Sequence, residues 1–183
     1  MSTIPDHVAL LCDFVNTVEL DEEGSDQIAT PGGLAAWLRE RGLADARPTA
    51  AEVARATELR EALRVLLMAN NNLAVDVAPA RAVVEDVGRD ARVELAFAVD
   101  GTLLPVPRAS GVRAALGTIV AAASLATQDG SWPRIKACRA DDCHWAFWDE
   151  ARNRSRAWCS MASCGNRAKV RAYRRRRGAV RPA

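Results

Sequence analysis

Residues 8–20, VALLCDFVNTVEL, place Val8, Leu11, Val15 and Val18 at nearly helical spacing, with Cys12 inside as a buried, unreactive thiol. Thr30-Pro31, followed by Leu34, Trp37 and Leu38 and a stop at Gly42, predicts a short capped helix. The clearest pattern covers 49–70. Thr49 and Glu52 have the spacing of a capping box, and Leu59, Leu63, Leu66 and Leu67 form one apolar face. Glu52, Arg55, Arg60, Glu61 and Arg64 are expected off that face. A shorter helix follows Pro79. Over 92–108 the period changes: Val93, Leu95 and Phe97 alternate, Asp100-Gly101 signals a hairpin, and Pro105 and Pro107 mark the second strand as an edge. Residues 111–127 are Ala-rich with Arg113 as the single charge, so a helix buried on most of its surface is expected. Asp129-Gly130 ends this body and Ser131-Trp132-Pro133 forms the junction to the C-terminal segment. The pattern predicts a mainly α (α+β) fold. A helical N-terminal domain with a small β-hairpin spans 1–130, and a second module spans 131–183.

The chain is 49% hydrophobic and 26% charged, enough to bury a sizeable core. No apolar run approaches the ~20 residues a membrane helix needs. The start, MSTIPDH, lacks the basic-then-apolar order of a secretory signal, so a cytoplasmic protein with no membrane partner is expected. Net charge is +2, but its distribution is lopsided. Residues 134–183 hold 14 Lys+Arg against 4 Asp+Glu, which leaves 11 basic and 19 acidic residues in the other 133. That asymmetry points to a polyanion-binding segment on an acidic body, or to a solubilising tail.

Four of the five cysteines lie in the basic segment: Cys138 and Cys143, then Cys159 and Cys164. Two C-x4-C pairs separated by fifteen residues can bring four thiolates to one point. One structural Zn2+ per chain is the expected occupant. An iron–sulfur cluster is the main rival, disulfides do not suit a reducing compartment, and His144 is a competing ligand that four cysteines make unnecessary. With four protein ligands no position is left for a catalytic water, so this centre is not expected to be an active site. Trp145, Phe147, Trp148 and Trp158 lie between the pairs, where rings and metal together would hold a module too small for a large core. The alternative use of such a ring is to stack on a base.

After Cys164, Gly165 suits a tight backbone and a helix is expected. Arg167, Arg171 and Arg174 share one face, with Val170 and Tyr173 as an apolar stripe suited to packing on the zinc knuckle. The metal would thus fix the start of an arginine-faced helix. Candidate DNA-contacting residues are Asn166, Arg167, Lys169, Arg171, Arg174, Arg175 and Arg176. Those from Arg174 to Arg177 suit phosphates, while Asn166 and Arg167 suit base edges or, alternatively, brace the knuckle. In the N-terminal domain, Asp13 and Asn16 stand three apart in an apolar segment. With Arg60 they could line a polar ligand pocket, or Asp13 and Arg60 could simply pair.

The stretch CHWAFWDEARNRSRAWCSMASCGNRAKVRAYRRRR resembles the CGNR-type zinc finger of bacterial proteins described as stress-induced transcription regulators, over roughly 134–177. DFVNT (13–17) and LREALR (59–64) are similar to the upstream ABATE domain of the same proteins. The resemblance implies a DNA-binding transcription regulator rather than an enzyme, with a role in stress response. Double-stranded DNA is the expected partner. The N-terminal domain would act as the sensor of a small-molecule effector or as a homodimerisation unit. RNA binding through the same module is the alternative, and exposure of Trp145 and Trp148 would discriminate. An enzyme is disfavoured by the residues themselves, which include only two histidines, His7 and His144, and no nucleophile motif.

Overall fold

A computed structural model describes residues 4–20 and 24–178, with side chains described through Arg174. The helices are α1 (Asp6–Val15), α2 (Pro31–Glu40), α3 (Ala50–Asn70), α4 (Ala78–Asp90), α5 (Gly111–Gln128) and α6 (Asn166–Gly178). Two antiparallel hairpins join them: β1 (Val93–Phe97) with β2 (Leu103–Pro107), and β3 (Ile135–Ala137) with β4 (Ala146–Trp148). No helix among the described residues is long and apolar enough to cross a membrane.

Local signals start the helices where expected. Thr30 Oγ1 accepts from Gly33 N at 3.1 Å, and Pro31 opens α2. A Cβ on Gly33 would fall 2.2 Å from the Gln27 carbonyl oxygen, so only glycine fits that turn. At α3, Glu52 N donates to Thr49 Oγ1 at 3.2 Å while Thr49 N donates to Glu52 Oε2 at 2.8 Å, the reciprocal bonds of a capping box. Leu59, Leu63 and Leu67 enter the core with Val8, Leu11, Phe14 and Val15 of α1 and Leu116, Ile119 and Ala122 of α5.

Two residues expected off that face are buried. The Arg60 and Arg64 side chains are each 4% exposed. Their positions, one step beyond Leu59 and Leu63, aim them at a second neighbour instead of solvent. Arg60 forms a two-pronged pair with Asp26 at 2.8 and 2.9 Å and donates to Thr17 Oγ1 and Glu61. Long arginine side chains are tolerated inside when each donor finds an acceptor.

The first hairpin follows the predicted alternation, but the alternation does not bury it. Val93 pairs with Pro107, Leu95 with Pro105 and Phe97 with Leu103, around a tight turn in which Gly101 has φ +82°. Its base rests on α5 at Gly117, where a Cβ would come within 2.8 Å of Pro107 Cβ and 2.5 Å of Ala91 Cβ. Beyond that base Leu95 and Phe97 stay exposed.

The main core does not stop at residue 130. Trp132–Arg134 forms one 3-10 turn, and Ile135 and Ala137 of β3 with Ala146 of β4 belong to the same buried cluster as α1, α3 and α5. A second, smaller cluster contains Cys138, Ala140, Phe147 and Cys164, flanked by Trp145 and Trp158.

Candidate metal centre and nucleic-acid interface

The first cysteine pair sits on the loop of the second hairpin. Cys138 leaves β3, and its amide donates to the Trp145 carbonyl at 2.9 Å. Cys143 N donates to Ala140 O at 3.0 Å, and His144 takes a left-handed backbone with φ 47°. These contacts fold residues 138–145 into a knuckle with both sulfurs on one side. His144 Nδ1 lies 3.1 Å from the Cys138 carbonyl oxygen, which commits the ring to the knuckle backbone.

The second pair opens a helix. Ser160 Oγ accepts from Ser163 N, Gly165 N donates to Ser160 O at 3.0 Å, and α6 begins at Asn166. Gly165 sits in tight space: a Cβ there would lie 2.8 Å from Met161 Sδ and 3.2 Å from Trp158 Cδ1, so the exposed Met161 side chain would have to move.

These two pieces bring the four Sγ atoms within 4.8 Å of one another. Cys143 to Cys159 and Cys159 to Cys164 are both 3.7 Å. A tetrahedron with ~2.3 Å zinc–sulfur bonds has sulfur–sulfur edges of ~3.8 Å, which the two 3.7 Å edges match, with the remaining edges within 4.8 Å. The electrostatics agree. A hydrogen bond from Cys143 lowers Cys138 to about 5, so one thiolate is readily formed. That thiolate, together with burial, pushes Cys143 up, while burial followed by the charge on Cys138 pushes Cys159 up to about 12. Four sulfurs this close carry four negative charges only around a cation. Cys138, Cys143, Cys159 and Cys164 therefore form a site for one structural Zn2+.

Around the sulfurs, arginine organises the module. Lys136 is buried against a fully buried Asp149 at 2.7 Å and also donates to the Arg154 carbonyl at 2.6 Å. Asp149 accepts from Ala151 N and Arg156 N, which shapes the loop between the two cysteine pairs. Arg156 donates to the Trp158 and Cys159 carbonyls and holds the second pair from behind. Arg167 Nη2 lies 3.3 Å from Cys164 Sγ, and Nη1 lies 3.4 Å from Asp142. Of its two expected roles, this contact is the bracing one.

A cleft of about 450 Å³ lies over the centre, lined by Cys143, Trp145, Cys159, Cys164 and Arg167 and, from the N-terminal body, by Glu19 and Leu20. A second groove, about 360 Å³, runs along α6 past Ser163, Asn166, Val170, Arg171 and Arg174. Asn166, Lys169, Arg171 and Arg174 are all exposed on α6. Val170 and Tyr173, expected to cover the knuckle, are 42% and 56% exposed instead: α6 packs chiefly on the 161–165 turn and reaches the knuckle through Arg167 and Arg171, which both pair with Asp142. The side chains of Arg175 and Arg176 lie outside the described residues. Trp145 and Trp158 are half-buried against the cysteines, and Trp148 is half-buried against the main core.

The three residues considered for a ligand pocket have separate partners. Asp13 is surface-exposed and pairs with Arg41 at 3.4 Å, not with Arg60. Arg60 is taken by Asp26; burial pushes the Asp26 carboxyl up, but the Arg60 hydrogen bonds and charge hold it below the usual carboxylate range. Asn16 reaches across the fold: its Nδ2 donates to the Ala146 carbonyl at 2.9 Å and its Oδ1 accepts from Ala146 N at 2.7 Å.

Asn16 is one member of a set of polar side chains that clamp the zinc module by its backbone. Arg64 donates to His144 O at 3.1 Å and to Val15 O at 2.6 Å. Asn70 donates to Trp132 O and Ile135 O, and Asn71 to Ala137 O and Ala157 O. Arg139 returns a bond from the module to the Asn71 carbonyl at 2.8 Å. Arg64 closes the LREALR stretch, a resemblance that implies no role for it, and Asn70 and Asn71 carry no motif. The only advance sign of the two asparagines is a polar Asn-Asn-Asn run, 70–72, that follows the apolar 65–69 end of α3.

The family profile described as "CGNR zinc finger" matches residues 134–177, and the ABATE profile, described as "Putative stress-induced transcription regulator", matches residues 8–130. No curated protein matches the chain. The second profile covers two thirds of the sequence, and the clamp joins the stretches that the two profiles match: the chain belongs to the ABATE family and carries a CGNR zinc finger over residues 134–177.

Proposed function

We propose that the chain is a transcription regulator that binds double-stranded DNA through α6, the helix held in place by the zinc centre. One observation carries the reading. α6 starts two residues after the last metal ligand, and the exposed Asn166, Lys169, Arg171 and Arg174 lie along its open length. The metal stabilises the turn from which the helix springs. Arg167 acts as a positioning residue, tied to Cys164 Sγ and Asp142. Lys169 and Arg174 supply phosphate contacts, Arg171 adds its charge from its ion pair with Asp142 at 3.7 Å, and Arg175 and Arg176 extend the same basic run. Asn166, exposed at the start of the helix, suits a base edge.

The three module tryptophans are engaged in packing, which favours a duplex over a single strand that stacks on exposed rings. The experiment is salt-dependent binding of the zinc-loaded full chain to duplex DNA and to single-stranded RNA of the same sequence. Lys169→Ala or Arg174→Ala should weaken duplex binding and reduce the slope of log K against log salt by about 0.9 per lost phosphate contact. Arg167→Ala should act through the metal, lowering zinc affinity roughly 10–100-fold, with DNA binding recovered in excess zinc. Tighter binding to RNA than to duplex would favour the RNA alternative, and failure to bind either nucleic acid would reject both.

A further inference from the structure

The first hairpin carries a broad apolar surface: Leu95, Phe97 and Val99 are 65%, 77% and 110% exposed, and Leu103 is 42% exposed. Folded proteins usually blunt such a strand with charge or proline, because its free amides and carbonyls invite another strand. Here the two edges of the hairpin are treated differently. Ala98 N donates to Thr102 O at 2.8 Å and Arg108 N donates to Arg92 O at 3.2 Å. With Leu95 opposite Pro105, the hydrogen-bonded pairs of this ladder fall at the even-numbered positions of β1. The backbone groups of Val93, Leu95 and Phe97 therefore point away from β2. On β2 the outward positions include Pro105 and Pro107, which have no N–H to offer. β2 also packs on α5. One edge is closed, and among the described residues the other keeps its donors and acceptors.

We propose that β1 pairs antiparallel with β1 of a second copy of this chain, forming a four-stranded sheet about a two-fold axis through Leu95. The strand is self-complementary about that residue. Leu95 meets the second copy's Leu95, Phe97 meets its Val93, and Glu94 meets its Ala96, so aromatic and β-branched side chains oppose each other and no like charges do. The outward groups at positions 93, 95 and 97 then exchange hydrogen bonds across the axis. Pairing along the edge of two five-residue strands buries the β1 backbone and the flanks of Val93, Leu95 and Phe97, well below the ~800 Å² per partner of a standard interface. That area suits a reversible dimer. The proposal rests on the hairpin alone and stands whether or not α6 binds nucleic acid.

The test is light scattering or sedimentation of the zinc-loaded full chain from about 1 to 100 µM, the range in which a reversible dimer of this size should assemble. The mass should approach twice that of one chain at the upper end. Leu95→Lys, which sets two lysines across the axis, should raise the dimer Kd at least tenfold while leaving the circular dichroism spectrum unchanged. Ala96→Lys, facing the second copy's Glu94, should tighten the dimer several-fold, and Ala96→Glu should loosen it by a similar factor. A monomer throughout the range overturns the proposal, as does a dimer indifferent to Leu95→Lys. Should Leu95→Lys fail to fold, the Ala96 pair decides: equal responses to the two charges would reject this pairing.

Discussion

The helical body and the zinc module solve the same problem with different means. The body buries aliphatic side chains from α1, α3 and α5, and it tolerates the buried Arg60 because Asp26 and Thr17 satisfy it. The module has a much smaller cluster, four residues of which two are metal ligands. It is held instead by a cation, by the buried Lys136–Asp149 pair, and by side chains that the body lends to its backbone. The difference teaches where each region is vulnerable. The body should fail through packing and buried charge, and the module through loss of metal or of the clamp.

The largest break in that comparison is expected at the ligands. Structural zinc contributes an apparent ~10–16 kcal/mol in small fingers, so Cys164→Ser should abolish stoichiometric zinc and unfold the module. Metal analysis should fall from one zinc per chain towards none, while hydrogen exchange in α3 and α5 stays protected. Simultaneous loss of protection in those helices would mean that the body too depends on the metal.

Arg60→Ala should break the body and spare the zinc. It leaves Asp26 without its two-pronged partner and should cost about 2–3 kcal/mol, read by chemical denaturation, with zinc content unchanged. The same pair sets a pH dependence. Asp26 is depressed in the folded state, so its contribution is fully present above the unfolded carboxylate value of about 3.9 and is lost as pH falls through the lower, folded value. The wild type should therefore lose stability more steeply than Arg60→Ala on acidification below pH ~4.

A smaller effect sharpens the boundary between the regions. Asn71→Ala leaves the carbonyls of Ala137 and Ala157 without their donor and should cost about 1–3 kcal/mol. The variant should still bind one zinc, but β3 and residues near Ala157 should exchange faster than in the wild type. Unchanged exchange there would show that the clamp is not what joins the two regions.

The features legible in the sequence are local. The Thr49–Glu52 box, the Asp100-Gly101 turn and the two cysteine pairs all depend on residues within a few positions, and each fixes a backbone geometry by itself. The hidden features are long-range. Asp26 meets Arg60 across 34 positions, Asn71 meets Ala137 across 66, and Asn16 meets Ala146 across 130. No periodicity encodes such partners, so the helical pattern places Arg60 and Arg64 off the apolar face and leaves Asp13 as a candidate partner for Arg60. The strand alternation likewise gives the register side of Leu95 and Phe97 but not what covers them, since coverage depends on surfaces beyond the strand. The exposure of Val170 and Tyr173 has the same origin: the stripe is readable, but the direction of α6 past the knuckle is not.

The central claim is that metal, not the helix alone, makes α6 a binding element. Its most direct test is duplex DNA affinity of the full chain measured zinc-loaded, after chelation, and after zinc is restored, at one salt concentration. Binding should fall at least tenfold on chelation and return with zinc, while most of the helical circular dichroism persists because α1 to α5 do not contact the metal. Equal affinity with and without zinc would contradict the account, leaving the arginines as a charged tail that needs no fold to bind.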